Sequence, residues 1–240
     1  GVDPGELAAL VGDRTRLVIL NSPNNPTGGA LDRDDLEAIA EVLGGRDVFV
    51  LSDEVYWAMR YGSEHVSPAA AEGLRERTIL LDGCSKTFAM TGWRLGFALL
   101  PPPLVEPVTR LVVNSVSCTA AFVQMAAVAA LEGPDAPVEE MVAELGRRRE
   151  LMLAGLRALP GIACADPAGA FYAFPDVRSL EASSADVASW LLERAGVACL
   201  PGTAFGPFGE GHLRLSYAAS PESITAALGA MAEALPAFPA

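Results

Sequence analysis

Three short apolar runs, separated by helical periodicity and turn residues, restrict this chain more than any other feature. They are Arg16–Leu20 (Arg-Leu-Val-Ile-Leu), Asp47–Leu51 (Asp-Val-Phe-Val-Leu) and Thr78–Leu81 (Thr-Ile-Leu-Leu). Each is too short for a helix and apolar on both alternating faces, as a strand buried on both sides of a sheet must be. Residues 5–12 read as the end of a helix. Between the first two runs, Leu36, Ile39, Ala40 and Leu43 fall on one helical face. Asp32 is placed to cap that helix, Leu31 and Leu36 are spaced as a hydrophobic staple, and Gly44-Gly45 ends it. Strands alternating with amphipathic helices predict an α/β fold, with a mostly parallel sheet covered on both faces by flanking helices. Ligands gather at the carboxyl ends of the strands of such sheets. Asn25, Asp53 and Ser85-Lys86 each follow one of those ends. These polar groups are expected to converge on one crevice.

The segment from Asp82 to Phe97 lies between Thr78–Leu81 and a further apolar run, Leu95–Leu100, both read as buried strands. Lys86 and Arg94 sit in it among small and apolar residues. Burial disfavours an ammonium and lowers its pKa. A lysine so placed is nucleophilic near neutral pH and suited to Schiff-base chemistry. Taken alone, a lysine in such a sequence more often stands on a solvated loop.

Beyond Pro101-Pro102-Pro103 the pattern turns helical. Ala120–Leu131 is almost wholly apolar and reads as a buried helix, and an amphipathic helix is predicted from about Val138 to Leu159. After Pro160-Gly161 the composition changes to short strands and loops. Strands are expected at Ala170–Phe174, Val197–Leu200 and His212–Tyr217, with helices at Asp186–Ala195 and Pro221–Leu235. A boundary inside the long helix gives a large domain over 1–145 and a smaller α+β domain over 146–240.

With 51% hydrophobic residues in 240, the chain can bury a substantial core. A net charge of −13 and the absence of a long basic run leave no nucleic-acid surface, and Arg147-Arg148-Arg149 reads as a solvated patch. The four cysteines show no CxxC spacing, and the only histidines, His65 and His212, lie far apart. A metal site is therefore not expected, and the thiols read as reduced. There is no signal peptide or long apolar span, so a cytoplasmic protein without membrane contact is expected.

Four blocks, in order, resemble the fold-type I, class I/II aminotransferases that use pyridoxal 5′-phosphate (PLP). They are Asn24-Asn25-Pro26-Thr27-Gly28, Ser52-Asp53-Glu54-Val55-Tyr56, Ser85-Lys86 through Gly92-Trp93-Arg94-Leu95-Gly96, and Arg214-Leu215-Ser216-Tyr217-Ala218. The resemblance implies that Lys86 carries the cofactor covalently and acts as the base at the substrate α-carbon. It places Asp53 against the pyridine nitrogen, where the plain alternative is a helix cap. Asn25 and Tyr56 would donate to the ring's phenolic oxygen, the alternatives being a turn asparagine and a core tyrosine. Arg94 and Ser85 would hold the phosphate, with a surface salt bridge as the alternative for Arg94. Arg214 would grip the substrate α-carboxylate with help from Asn25, unless its strand is an edge facing water.

Two departures accompany the resemblance. Gly83 stands where many members have a phosphate-binding serine or threonine, a loss that Ser85 or backbone amides could offset. The family's amino-terminal phosphate turn, stacking aromatic and first strands have no counterpart, so the chain reads as the carboxyl-terminal three-fifths of a member, with an incomplete large domain. The implied activity is transamination between an amino acid and a 2-oxo acid, in a homodimer. A PLP-dependent β-lyase, or the PLP-binding effector domain of a transcription regulator, shares these residues and stays open.

Overall fold

The computed structural model describes residues 1–239. The chain divides into two compact units, one of Gly1–Pro23 with Ala30–Val138, the other of Asn24–Gly29 with Glu139 onward. The division falls in the same long helix in which the sequence places a boundary at 146.

In the first unit, helix α1 (Pro4–Leu10) precedes strand β1 (Leu17–Asn21), helix α2 (Arg33–Leu43), strand β2 (Phe49–Asp53) and strand β3 (Thr78–Gly83). A single helical turn, α3 (Cys84–Thr87), leads to strand β4 (Gly96–Leu99) and helices α4 (Pro102–Ser115) and α5 (Ala121–Leu131). The four strands lie in chain order, β1, β2 and β3 parallel and β4 antiparallel to β3. Register sets Asn21 opposite Asp53 and Asp53 opposite Leu81, so β1 and β2 end level with one another and β3 runs on to Gly83.

Helix α2 forms where its capping residues and apolar stripe agree. The Asp32 carboxylate accepts the Asp35 N–H at 2.9 Å and the Asp35 carboxylate accepts the Asp32 N–H at 3.0 Å, a reciprocal capping box. Leu36, Ile39 and Leu43 pack with Leu20, Leu31, Val48, Val50 and Leu74 into one core. The cap at the other end is Gly44, with an ordinary φ of −54°, and the left-handed residue is Gly45.

Burial is less complete than the sequence suggests. All four residues of β4 are exposed, Leu99 to 61%, and Leu17 and Ile19 of β1 are open too, so the sheet is not covered on both faces. In α5 only Val123 and Ala127, one turn apart, are buried, while Phe122 stands 71% exposed. An apolar run reports what exposure costs and not which faces find a neighbour.

The second unit holds most of helix α6 (Ala136–Ala158), strand β5 (Tyr172–Ala173), helix α7 (Ser184–Ala195), strand β6 (Leu200–Pro201), strand β7 (Leu213–Ser216) and helix α8 (Pro221–Ala234). Its antiparallel sheet has the order β5-β7-β6, with shorter flanking strands than expected. Leu153, Leu156, Val187, Leu191, Leu213, Tyr217 and Met231 are buried here. Gly196 takes a left-handed φ of 65° and closes α7, its N–H bonded to the Leu191 and Leu192 carbonyls. The basic run on α6 is not uniformly solvated. Arg147 and Arg148 pair with Glu144, but Arg149 is largely buried and donates to the Pro167 carbonyl at 2.8 Å.

Candidate active site

Asp53 is the last residue of β2 and half-buried. Its Oδ1 accepts the Val55 N–H at 3.3 Å, and its carbonyl accepts the Asn21 side-chain amide and the Ser22 N–H, both at 3.1 Å. The chain then turns tightly, with Trp57 N–H donating to the Glu54 carbonyl and Met59 N–H to the Tyr56 carbonyl, each at 2.8 Å. That turn buries Tyr56. Lys86, half-buried on α3, holds its Nζ 5.7 Å from the centre of the Tyr56 ring. It is the only lysine in the sequence, the other sixteen basic side chains all being arginine. That compositional signal points straight to the position.

Backbone packing fixes how α3 begins. Cys84 N–H donates to the Leu95 carbonyl at 3.2 Å. A Cβ on Gly83 would stand 2.9 Å from the Leu95 carbonyl oxygen and 3.1 Å from Gly96 Cα. In this chain the position has no room for a serine or threonine without a backbone shift, which accounts for the departure at Gly83. Ser85 is half-buried beside Lys86. Arg94 is exposed in a left-handed conformation (φ 55°), and its Nη1 donates to the Thr91 carbonyl at 2.8 Å. No carboxylate pairs with it among the described residues, so the surface salt bridge is not formed.

In the second unit Arg214 lies on β7, the central strand of its sheet, and not on an edge. Leu213 and Leu215 are buried on the opposite face. The guanidinium carbon is 4.6 Å from the Tyr172 ring centre and 4.8 Å from that of Phe205, and Nη1 donates to Asn25 Oδ1 at 2.9 Å. The segment carrying Asn25 is closed on itself by Asn24 N–H to the Gly29 carbonyl (2.7 Å) and Gly28 N–H to the Asn24 carbonyl (2.9 Å). Gly28 is left-handed (φ 70°), and a Cβ there would collide with Pro167. Thus Asp53, Tyr56, Ser85, Lys86 and Arg94 belong to one unit, and Asn25 meets Arg214 in the other.

Sequence reasoning passed over a buried polar group behind Asp53. Glu54 accepts from His65 Nε2 and from the Ser67 hydroxyl, both at 2.6 Å. Asp82 is half-buried, and its Oδ1 accepts the Gly83 N–H at 2.6 Å. Burial is the main cause that pushes its carboxyl above the ordinary range, and the Glu54 charge adds to it. Bonds from the Gly83 N–H and the Trp57 side chain, and the His65 charge, act the other way. A glutamate directly after a strand-terminal aspartate was the available signal. Among the described residues no cluster of His, Cys, Asp or Glu could hold a metal ion, and no helix is long and apolar enough to cross a membrane.

The donor set has one amine, a carboxylate at the end of the neighbouring strand, a buried phenol and an arginine with open donors. That set fits a cofactor with an aldehyde, a basic ring nitrogen and a phosphate. Residues 1–231 match the family described as aminotransferase class I and II. The chain is 42% identical over 236 residues to an aspartate aminotransferase of Musicola paradisiaca, covering 98% of this chain and 59% of that one. It is also 42% identical to aromatic-amino-acid aminotransferase 2 of Thermococcus litoralis, over 96% of this chain and 60% of the relative. The crystal structure of an aromatic aminotransferase from Pyrococcus horikoshii superposes with a TM-score of 0.95 at 41% identity, over 99% of this chain and 64% of that one. The chain thus spans about three-fifths of the length of these curated relatives. With matched blocks and a matched fold along nearly all its residues, the chain belongs to the class I and II aminotransferase family.

Proposed function

We propose that these residues form the PLP- and carboxylate-binding part of an aminotransferase that moves an amino group between an amino acid and a 2-oxo acid. One observation carries this reading: the chain's only lysine is half-buried over the Tyr56 ring, just past the strand end that pairs with the one bearing Asp53. When bound, PLP supplies an aldehyde for the substrate amine and a ring that takes up electrons from the substrate α-carbon. Lys86 Nζ holds that aldehyde between turnovers, and takes and returns the α-proton. Asp53 keeps the ring nitrogen protonated, because a carboxylate beside it favours the charged form. Tyr56 and Asn25 donate to the phenolic oxygen, and Arg94 and Ser85 hold the phosphate. Arg214 takes the α-carboxylate with two parallel N–H donors, already steadied by Tyr172, Phe205 and Asn25.

Both half-reactions use the same lysine and the same arginine, which gives ping-pong kinetics. The names of the relatives, aminotransferases of aspartate and of aromatic amino acids, support transfer over elimination. A homodimer is what the family resemblance implies, and a cytoplasmic setting is the one with which four free cysteines agree, as a reducing compartment.

The test is reduction with sodium borohydride of the intact protein loaded with PLP, followed by peptide mass mapping. The cofactor mass is expected on the peptide containing Lys86, and Lys86→Ala is expected to lose both that label and the visible absorbance. A label elsewhere, or colour that survives the substitution, refutes the assignment. Amino-acid and keto-acid product analysis separates transfer from β-elimination.

A further inference from the structure

The reaction above leaves Glu54 without a task, although it is only 4% exposed and lies between three parts of the site. Its N–H donates to the Leu81 carbonyl of β3 at 2.9 Å, three residues before Cys84 bonds to Leu95 and α3 turns to present Lys86. Its carbonyl accepts the Trp57 N–H at 2.8 Å, closing the turn that carries Tyr56. The residue before it is Asp53. Its side chain points elsewhere, with both carboxylate oxygens engaged by His65 and Ser67.

A carboxylate buried this deeply is costly unless it is paired and hydrogen-bonded. His65 supplies the pairing from an irregular loop, and at a cost of its own. Its side chain is 15% exposed, and its Nδ1 is buried with no partner among the described residues. An orphaned buried nitrogen needs a reason, and the short Nε2 contact to Glu54 is the one the geometry offers. The charged groups facing the ring are Glu54 after β2 and Asp82 at the end of β3, while Arg33 and Glu37 of α2 and Glu72 line the same cavity.

We propose that His65, acting through Glu54, is a positioning residue for the cofactor pocket, holding in register the strand end with Asp53, the turn with Tyr56 and the approach to Lys86. This rests on the PLP reading above. Without its partners the Glu54 carboxylate would turn toward water, and the 53–57 turn would lose its anchor. Asp82, which feels both Glu54 and His65 and receives the Gly83 N–H at the start of α3, couples the same pair to the lysine-bearing turn.

The test uses the intact protein and the variants His65→Ala, His65→Gln, Glu54→Gln and Lys86→Ala. PLP dissociation constants and the pH midpoint of the bound cofactor's visible absorbance are measured for each, with melting temperatures alongside. His65→Ala and Glu54→Gln are expected to weaken PLP binding by roughly tenfold or more, the scale seen when a supporting hydrogen bond behind a bound group is removed. His65→Gln, which keeps a donor for Glu54, is expected to recover most of that loss. Glu54→Gln is also expected to lower the pH midpoint, because it removes a negative charge from beside Asp82 and the pocket. Unchanged PLP affinity and titration in His65→Ala and Glu54→Gln, with or without a lower melting temperature, overturns the proposal and assigns His65 to stability alone. Lys86→Ala separates the two readings. If it loses the label while the His65 and Glu54 variants behave as wild type, only this inference falls. If the wild-type protein takes no label, the PLP reading falls with it.

Discussion

A guanidinium held between two aromatic faces has given up most of its freedom before any ligand arrives. Arg214 is in that position, between Tyr172 and Phe205 with Asn25 as acceptor, so binding a carboxylate there costs little further ordering. Arg214→Ala in the intact protein is expected to raise KM for the amino acid and the 2-oxo acid together. Truncating one side of such a charge pair costs about 2–5 kcal/mol, and steady-state kinetics with both substrates measures it. Asp53→Asn keeps an acceptor for the Val55 N–H but removes the charge, so kcat is expected to fall while the thermal transition stays in place. Asp82 carries a pH dependence of known sign. Its carboxyl is raised chiefly by burial, so the folded chain holds that proton more tightly than the unfolded one. Stability therefore falls as pH climbs from about 3.9 through the raised value, and then levels off. Asp82→Asn keeps an acceptor for the Gly83 N–H and is expected to be more stable than wild type at neutral pH. The gap in urea midpoint should close below about pH 4. The placement of Lys86, Asp53 and Arg214 at or beside strands was legible because each is a charge set in an apolar or strand-terminal context. The Glu54–His65 contact was not, since it spans eleven residues of irregular loop whose path no periodicity records.

At the scale of elements, the ends of helices were the most readable parts. Asp32 and Gly196 stop or start a helix through their own side chain or backbone freedom, so their local sequence is sufficient. Asp32→Ala removes one half of the capping box and is expected to cost about 0.5–2 kcal/mol. Asp32→Asn, which still accepts the Asp35 N–H, is expected to cost less, and thermal denaturation of both variants compares them. Strand β4 and helix α5 were readable in type but not in surroundings. Their hydropathy fits a core, yet Phe97, Leu99, Phe122 and Met125 are exposed. Burial depends on what lies opposite, which a single segment does not state. The short strands β5 and β6 shrank for a related reason: apolar composition extends further than the ladder of hydrogen bonds each one shares with β7.

For the molecule as a whole, the apolar face of the first unit sets its behaviour in solution. Leu111, Val113, Val116, Phe122 and Met125 of the α4–α5 region are exposed, and β4 offers an open edge. These 240 residues expressed alone are expected to self-associate and to take up PLP poorly, as light scattering and spectral titration against the intact protein would register. The parallel pairing of β1, β2 and β3 could be anticipated from the alternation of strands and helices, because short parallel strands need crossover connections. Which unit a loop belongs to could not be anticipated, for that is settled by contacts made far along the chain. The hexapeptide Asn24–Gly29 is the instance: its Gly28 carbonyl receives the N–H groups of Ala168 and Gly169, and its Asn25 steadies Arg214. The second unit is consequently not a contiguous piece of gene. A clone starting at Glu139 would lack those six residues, and recombination at a single cut would part an arginine from its asparagine, so any attempt to transplant this module has to carry both pieces.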